Sequence, residues 1–292
     1  MGSHICATKW HVAPTRYAAP LLVALAMLAG VVVASILDPT LVASAQTPSK
    51  SGPQPKAGAN APAVARDADQ LLKDMGSYIG SASQFTFGAD VVFDQVLPSG
   101  QKVQFSAAQS VALKRPADLY VDWTGDLGSR RFWYDGNAIS LYDPVAQFYA
   151  RTTAPPEIDS MLDTLVKNLD FSLPLVDFFY RDPYASVRAN VQYGFDLGQA
   201  QVNGRACRSL AFVEKDIDWQ IWIENGPEPT PCKLVITYKS LPAQPQFTAT
   251  FRDWDFAPRI AVTFFTANMP PGSEQIPLGS LAVTREQVGE KP

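Results

Sequence analysis

From Ser83 onward apolar side chains recur at every second position, and this feature confines the chain to sheet architectures. Phe85, Phe87, Ala89, Val91 and Phe93 alternate with Gln84, Thr86, Gly88, Asp90 and Val92, so rings and branched side chains share one face. "PSG" at 98–100 then turns the chain. Further strand candidates follow at 102–113, 117–124, 130–135, 138–142 and 147–152, separated by "KRPAD", "GDLGS", "YDGN" and "YDPVA". Strands with connectors this short pair with their neighbours as antiparallel hairpins, giving a meander. A second set is read at 187–197, 205–213, 217–224, 232–239, 246–255 and 259–266. No strand–helix–strand rhythm with a glycine-rich turn occurs, which disfavours a Rossmann-like nucleotide site.

Helical spacing occupies two places. Arg66 to Ser81 carries Ala68, Leu71, Leu72, Met75 and Ile79 on one stripe. After Pro155–Pro156, a second stripe is formed by Ile158, Met161, Leu162, Leu165 and Leu169. "SLPLVDFFYRDP" follows, with Leu173, Leu175, Val176, Phe178, Phe179 and Tyr180 pointing in too many directions for one buried stripe, and Pro183 closing the segment. About eleven strands with few helices predict a mainly β (α+β) fold. The expected form is a strongly curved antiparallel sheet or incomplete barrel, with helices packed over its concave face.

The N-terminal region stands apart. Residues 18–37, AAPLLVALAMLAGVVVASIL, are almost wholly apolar and long enough to span a bilayer, after a weakly basic start at Lys9, His11 and Arg16. "ASA" at Ala43–Ala45 supplies the small residues a signal peptidase needs. Residues 1–45 therefore read either as a cleaved signal peptide or as a retained transmembrane helix at the inner membrane. Both put the remainder in the periplasm. Residues 46–65, rich in Pro, Ala, Gly and Ser, read as a flexible linker, and 276–292 as an irregular tail.

Charge and residue types exclude more than they assign. The net charge is −4 and no basic run exceeds Arg130–Arg131, which argues against a nucleic-acid partner. The two histidines, His4 and His11, both precede residue 45. Histidine-based triads, His-containing zinc sites and imidazole proton relays are thus unavailable beyond the leader. Cys207 and Cys232 form a disulfide candidate. If strand 217–224 separates them, they stand about two strand spacings apart, too far unless "GPEPTPC" folds back. No cofactor or metal is expected. A carboxylate-based glycan hydrolase stays open only if Asp218 meets Asp253 or Asp255 across the sheet.

One ring stands out. In "DWQIWIENG", Trp219, Ile221 and Ile223 share a face, while Trp222 alternates with Asp218, Gln220 and Glu224 on the polar one. Trp222 is a structural ring under a helix or loop, a lining ring of a cavity, or a partner-facing ring. Candidate lining residues of an apolar cavity are Trp123, Trp133, Leu165, Leu169, Phe178, Phe179 and Trp222.

The stretches "RSLAFVEKDIDWQIWIENGPEPTPCKLVITYKS", "PQFTATFRDWDF", "KRPADLYVDWTGD" and "FWYDGNAISLYDP" resemble a family of predicted periplasmic proteins catalogued as domain of unknown function 2092. The resemblance covers about residues 68 to 275; Ser209 stands where family members usually carry a His before the "LAF" block. That family is similar in fold to the periplasmic lipoprotein carriers and their outer-membrane receptors. The resemblance implies a lipoprotein-carrier-like β domain over 66–275 and a non-catalytic role: binding a hydrophobic small molecule, lipid or lipoprotein acyl chain. A structural or protein-binding module of the envelope is the alternative.

Overall fold

The computed structural model describes residues 63–169 and 173–278. Helix α1, Arg66–Ser81, leads into a meander of β1 Gln84–Val96, β2 Lys102–Lys114, β3 Asp118–Gly125, β4 Gly128–Asp135, β5 Ala138–Asp143 and β6 Phe148–Thr153. Helix α2, Ile158–Leu169, a 3-10 turn at Val176–Phe178 and α3, Pro183–Arg188, interrupt it. A second meander follows: β7 Tyr193–Val202, β8 Arg205–Val213, β9 Asp218–Glu224, β10 Pro231–Thr237 and β11 Gln246–Asp255. A 3-10 turn at Val262–Phe265 and the two-residue β12, Glu274–Gln275, end the described chain.

All twelve strands form one sheet in the order β12-β6-β5-β4-β3-β2-β1-β11-β10-β9-β8-β7. This corrects the expectation of a strongly curved sheet or incomplete β barrel with helices over a concave face. Closure requires the outermost strands to pair, and among the described strands β12 pairs only with β6 and β7 only with β8, so the sheet is open. Nor is it purely antiparallel, because β12 runs parallel to β6. The edges are dealt with locally instead. At β7, Gly194 N–H donates to Ala63 O at 3.0 Å and Ala65 N–H donates to Gly194 O at 2.9 Å. At the other end the edge strand is too short to template a partner.

The two meanders join where β1 pairs with β11, with Val91 opposite Ala249 and Phe93 opposite Phe247. One sheet face is continuous core: Phe85, Phe87, Val91, Leu119, Val121, Phe132, Leu210, Phe212, Ile221 and Phe251 are all buried there with Leu72, Met75 and Ile79 of α1 and Met161, Leu162 and Leu165 of α2. α1 lies so close to α3 that a Cβ on Gly76 would sit 2.6 Å from Tyr184 Cβ. Asp69 of α1 accepts from Tyr184 Oη at 3.1 Å and from Arg188 Nε at 2.7 Å, fixing the same contact.

Two expected strand segments fold otherwise. Residues 187–197 are extended only from Tyr193, because Asp182 caps α3 by accepting from Ala185 N–H and Pro183 occupies its first turn. Pro183 thus opens a helix instead of closing a segment. Residues 259–266 leave the sheet after Asp255, whose carboxylate accepts from Ala257 N–H at 2.8 Å in a local turn. The leader at 1–45, including the 18–37 run expected as a transmembrane helix, lies outside the described residues. Among the described residues no helix is long and apolar enough to cross a membrane.

Candidate functional site

Between the second meander and the helical insertion lies an apolar chamber. Its floor is made by residues of alternate parity on neighbouring strands: Trp219 and Ile221 of β9, Leu234 and Ile236 of β10, and Phe247 of β11. Strand register aligns them, since Trp219 sits opposite Ile236 and Ile236 opposite Phe247. The roof is Leu175, Val176, Asp177 and Phe178, with Val187 of α3. The void between them measures about 20 Å³. That is space for about one water, against the roughly 300–1,000 Å³ of ligand pockets. The chamber is filled by the protein's own side chains.

The roof segment, 173–180, is tied down mainly through its backbone carbonyls. Gln109 Nε2 of β2 donates to Pro174 O at 3.1 Å. Just beyond β2, Arg115 donates from Nη1 to Phe179 O at 3.0 Å and from Nη2 to Tyr180 O at 2.9 Å. Burial lowers the Arg115 pKa, Asp159 opposes that, and Arg181 adds to it. Asp159 in turn accepts from Arg181 N–H at 3.0 Å. Inside the roof, Ser186 Oγ donates to the buried Asp177 carboxylate at 2.6 Å. Leu175 has φ 61° and ψ 22°, the left-handed region that costs a branched residue about 1–2 kcal/mol.

A carboxylate stands at the end of the floor. Trp219 Nε1 donates to Glu214 Oε1 at 2.9 Å, and the indole stacks on Phe212 with centroids 4.2 Å apart. Glu214 is 5 % exposed. Burial pushes its carboxyl from the ordinary 4.5 up to about 7; the indole hydrogen bond and Lys239 hold it down, and Asp216 pushes it further up.

The seven expected lining residues do not converge. Phe178 borders the void. Trp123, Leu165 and Phe179 are buried in the same core away from it. The Leu169 side chain lies outside the described residues. Trp133 is on the opposite sheet face, against Tyr120 at 5.4 Å. Trp222 is there too, packed on Val202 and the Cys207–Cys232 disulfide, with Lys233 Nζ 5.1 Å from its ring centroid. Its polar neighbours therefore surround a ring that covers a bridge. Cys207 and Cys232 do flank β9, but Cys232 is the extra residue of a bulge in β10, and the Cα atoms are 6.9 Å apart. Sequence reasoning missed Gln109, Arg115, Leu175 and Trp219.

No hydrolytic carboxylate pair is assembled from the acids singled out in the sequence. Asp218 is level with Thr237 and Gln246, at the far end of β11 from Asp253 and Asp255. It binds Lys239 instead, at 2.7 Å. Among the described residues no group of three or more His, Cys, Asp or Glu could hold a metal ion.

With this geometry in place, the sequence matches the model of a family described as predicted periplasmic protein (DUF2092) over residues 68–279. The chain belongs to that family. No curated protein matches it significantly. Among solved structures it is similar to an uncharacterised conserved protein from Thermus thermophilus, at 7 % identity and TM-score 0.43, covering 73 % of this chain and 99 % of that one. It is similar to LprF from Mycobacterium bovis, at 13 % identity and TM-score 0.39, covering 71 % of this chain and 97 % of that one. The lipoprotein LppX from Mycobacterium tuberculosis is similar at 9 % identity and TM-score 0.39, covering 67 % of this chain and 98 % of that one.

Proposed function

We propose that this chain is a non-catalytic periplasmic binding protein that takes the acyl chain of a lipid or lipoprotein between the β9–β11 floor and the 173–180 roof. The observation that carries this reading is the roof itself: an irregular, apolar segment, strained at Leu175, laid over an apolar floor and held by side chains from β2 and its end. The filled chamber dictates how uptake would work. Lifting Leu175, Val176, Phe178 and Phe179 exposes four large apolar side chains, at about 1.5–3 kcal/mol each. A C16 chain buried in their place returns roughly 12 kcal/mol before ordering and association costs. The terms are comparable, so the roof stays shut in water and exchanges its own side chains for ligand as one event. No bond is made or broken.

The test is native mass spectrometry of protein purified from its own periplasm, paired with titration by N-phenyl-1-naphthylamine, which brightens in apolar surroundings. A co-purifying lipid that extracts into organic solvent, or saturable dye uptake, is expected. Absence of both overturns the reading. A second reading, a protein-binding envelope module, is favoured by Tyr193, Phe195 and Leu197, which are 53 %, 50 % and 54 % exposed along edge strand β7. It predicts no dye uptake.

A further inference from the structure

The roof's anchor on β2 is itself incomplete. Gln109 is 0 % exposed and sits on the core face of β2, opposite Ala89 of β1 and Trp123 of β3. Its Nε2 is committed to Pro174 O at 3.1 Å. Its Oε1 is buried and has no hydrogen-bond partner among the described residues. Turning the amide over would set one carbonyl against another at Pro174, so that single donated bond fixes the orientation and leaves the oxygen as the orphan. A buried acceptor without a donor is an unfavourable arrangement that native cores rarely keep without cause. An apolar side chain would fill the same space, with Ala107 and Val111 to either side along the strand.

The position of the orphan says what could satisfy it. Pro174 directly precedes Leu175 and Val176, which wall the void. Gln109 does not itself border the void; it lies across β1 from β11, level with Ala89 and Phe251, so a long-chain group laid beneath the roof from β9–β11 toward β2 would run from apolar surface to an acceptor with no donor. Hydrocarbon alone leaves that acceptor orphaned, as does an ester or ether oxygen. A hydroxyl or amide N–H satisfies it.

We propose that the Gln109 carboxamide anchors the polar end of the ligand, so that the ligand is a long-chain molecule with an O–H or N–H donor close to one end. This rests on the apolar-ligand reading above and narrows it. Gln109 then has two tasks: Nε2 holds the roof shut and Oε1 selects what lies beneath it. Discrimination is modest, because one neutral hydrogen bond to an otherwise unpaired acceptor corresponds to about tenfold in affinity.

The experiment is displacement of N-phenyl-1-naphthylamine from the wild-type protein by 1-dodecanol and by dodecyl methyl ether, which differ in the donor. The alcohol is expected to bind about tenfold more tightly. In Gln109→Leu and Gln109→Met, each first checked for folding by circular dichroism, the ratio falls to about one, because loss of the Nε2 anchor shifts both affinities alike and only the alcohol loses the acceptor. Equal affinities in the wild type overturn the inference and leave the apolar-ligand reading standing, as does a tenfold preference that survives in a folded variant. Displacement by neither compound overturns both. The wild-type ratio decides even where a variant does not fold.

Discussion

Replacing Glu214 by Gln isolates the most perturbed carboxyl in the chamber floor. In the folded protein burial raises Glu214 from 4.5 to about 7. In the unfolded chain it titrates at its ordinary value. Between these two pH values the folded state therefore holds a proton that the unfolded state has released, and stability declines as pH rises. The contribution is complete below about pH 4.5 and gone above about pH 7. Its size follows from the shift: at about 1.36 kcal/mol per unit, the full decline is at most about 3 kcal/mol. Glutamine keeps an oxygen to accept the Trp219 indole N–H and carries no charge at any pH. Glu214→Gln should thus match the wild type near pH 4.5 and exceed it by about 1–3 kcal/mol at pH 8. Urea unfolding followed by tryptophan fluorescence, from pH 4.5 to 8, measures both. Since burial also raises Asp118 and Asp159, the difference between the proteins is the diagnostic quantity. A difference that stays flat with pH, or a variant weaker at pH 8, refutes the reasoning.

Further outcomes follow from the same contacts. The double variant Cys207→Ser, Cys232→Ser opens a loop with a sequence separation of 25 residues and should lose about 3 kcal/mol in urea unfolding; unchanged stability, or two free thiols in the denatured wild type without reductant, removes the bridge. Trp222→Ala should lose about 1–3 kcal/mol, because the ring covers the bridge, yet leave N-phenyl-1-naphthylamine uptake unaltered. Reduced uptake would return Trp222 to the ligand site. Arg115→Lys cannot span Phe179 O and Tyr180 O together, and a cost of about 1–3 kcal/mol is expected. Hydrogen exchange should quicken in peptides covering 173–181 and stay unchanged in β1.

Much of the fold was legible because burial here is periodic. The α1 stripe gave Arg66–Ser81 at its observed bounds, and the alternation in β1–β5 placed those strands to within a residue or two at most ends. Errors came where a local group outranked the pattern. Asp182 ahead of Pro183 is a helix start, and the alternation that continues behind it concealed the cap. The strongly curved sheet or incomplete barrel is an expectation drawn from strand number, and number alone does not decide how far a sheet curls. The site was harder to read. Phe178 and Phe179 are adjacent, yet only Phe178 reaches the void, a difference set by the 3-10 turn and invisible to spacing. Trp222 looked anomalous on its face because its support, Cys232, is displaced by a bulge. The sequence does carry one signal for the anchor: Gln109 is polar in a row otherwise formed by Phe105, Ala107, Val111 and Leu113.

The seam between β1 and β11 has a consequence for biogenesis. β1 and β11 stand far apart along the chain, and neither half-sheet can complete its interior alone: Phe87 of one strand packs against Phe251 of the other with centroids 5.7 Å apart. Contacts so distant along the chain form slowly. A chain folding from its N-terminal side thus keeps an unfinished rim at β1 until about residue 255 is in place, so the join between the half-sheets comes late.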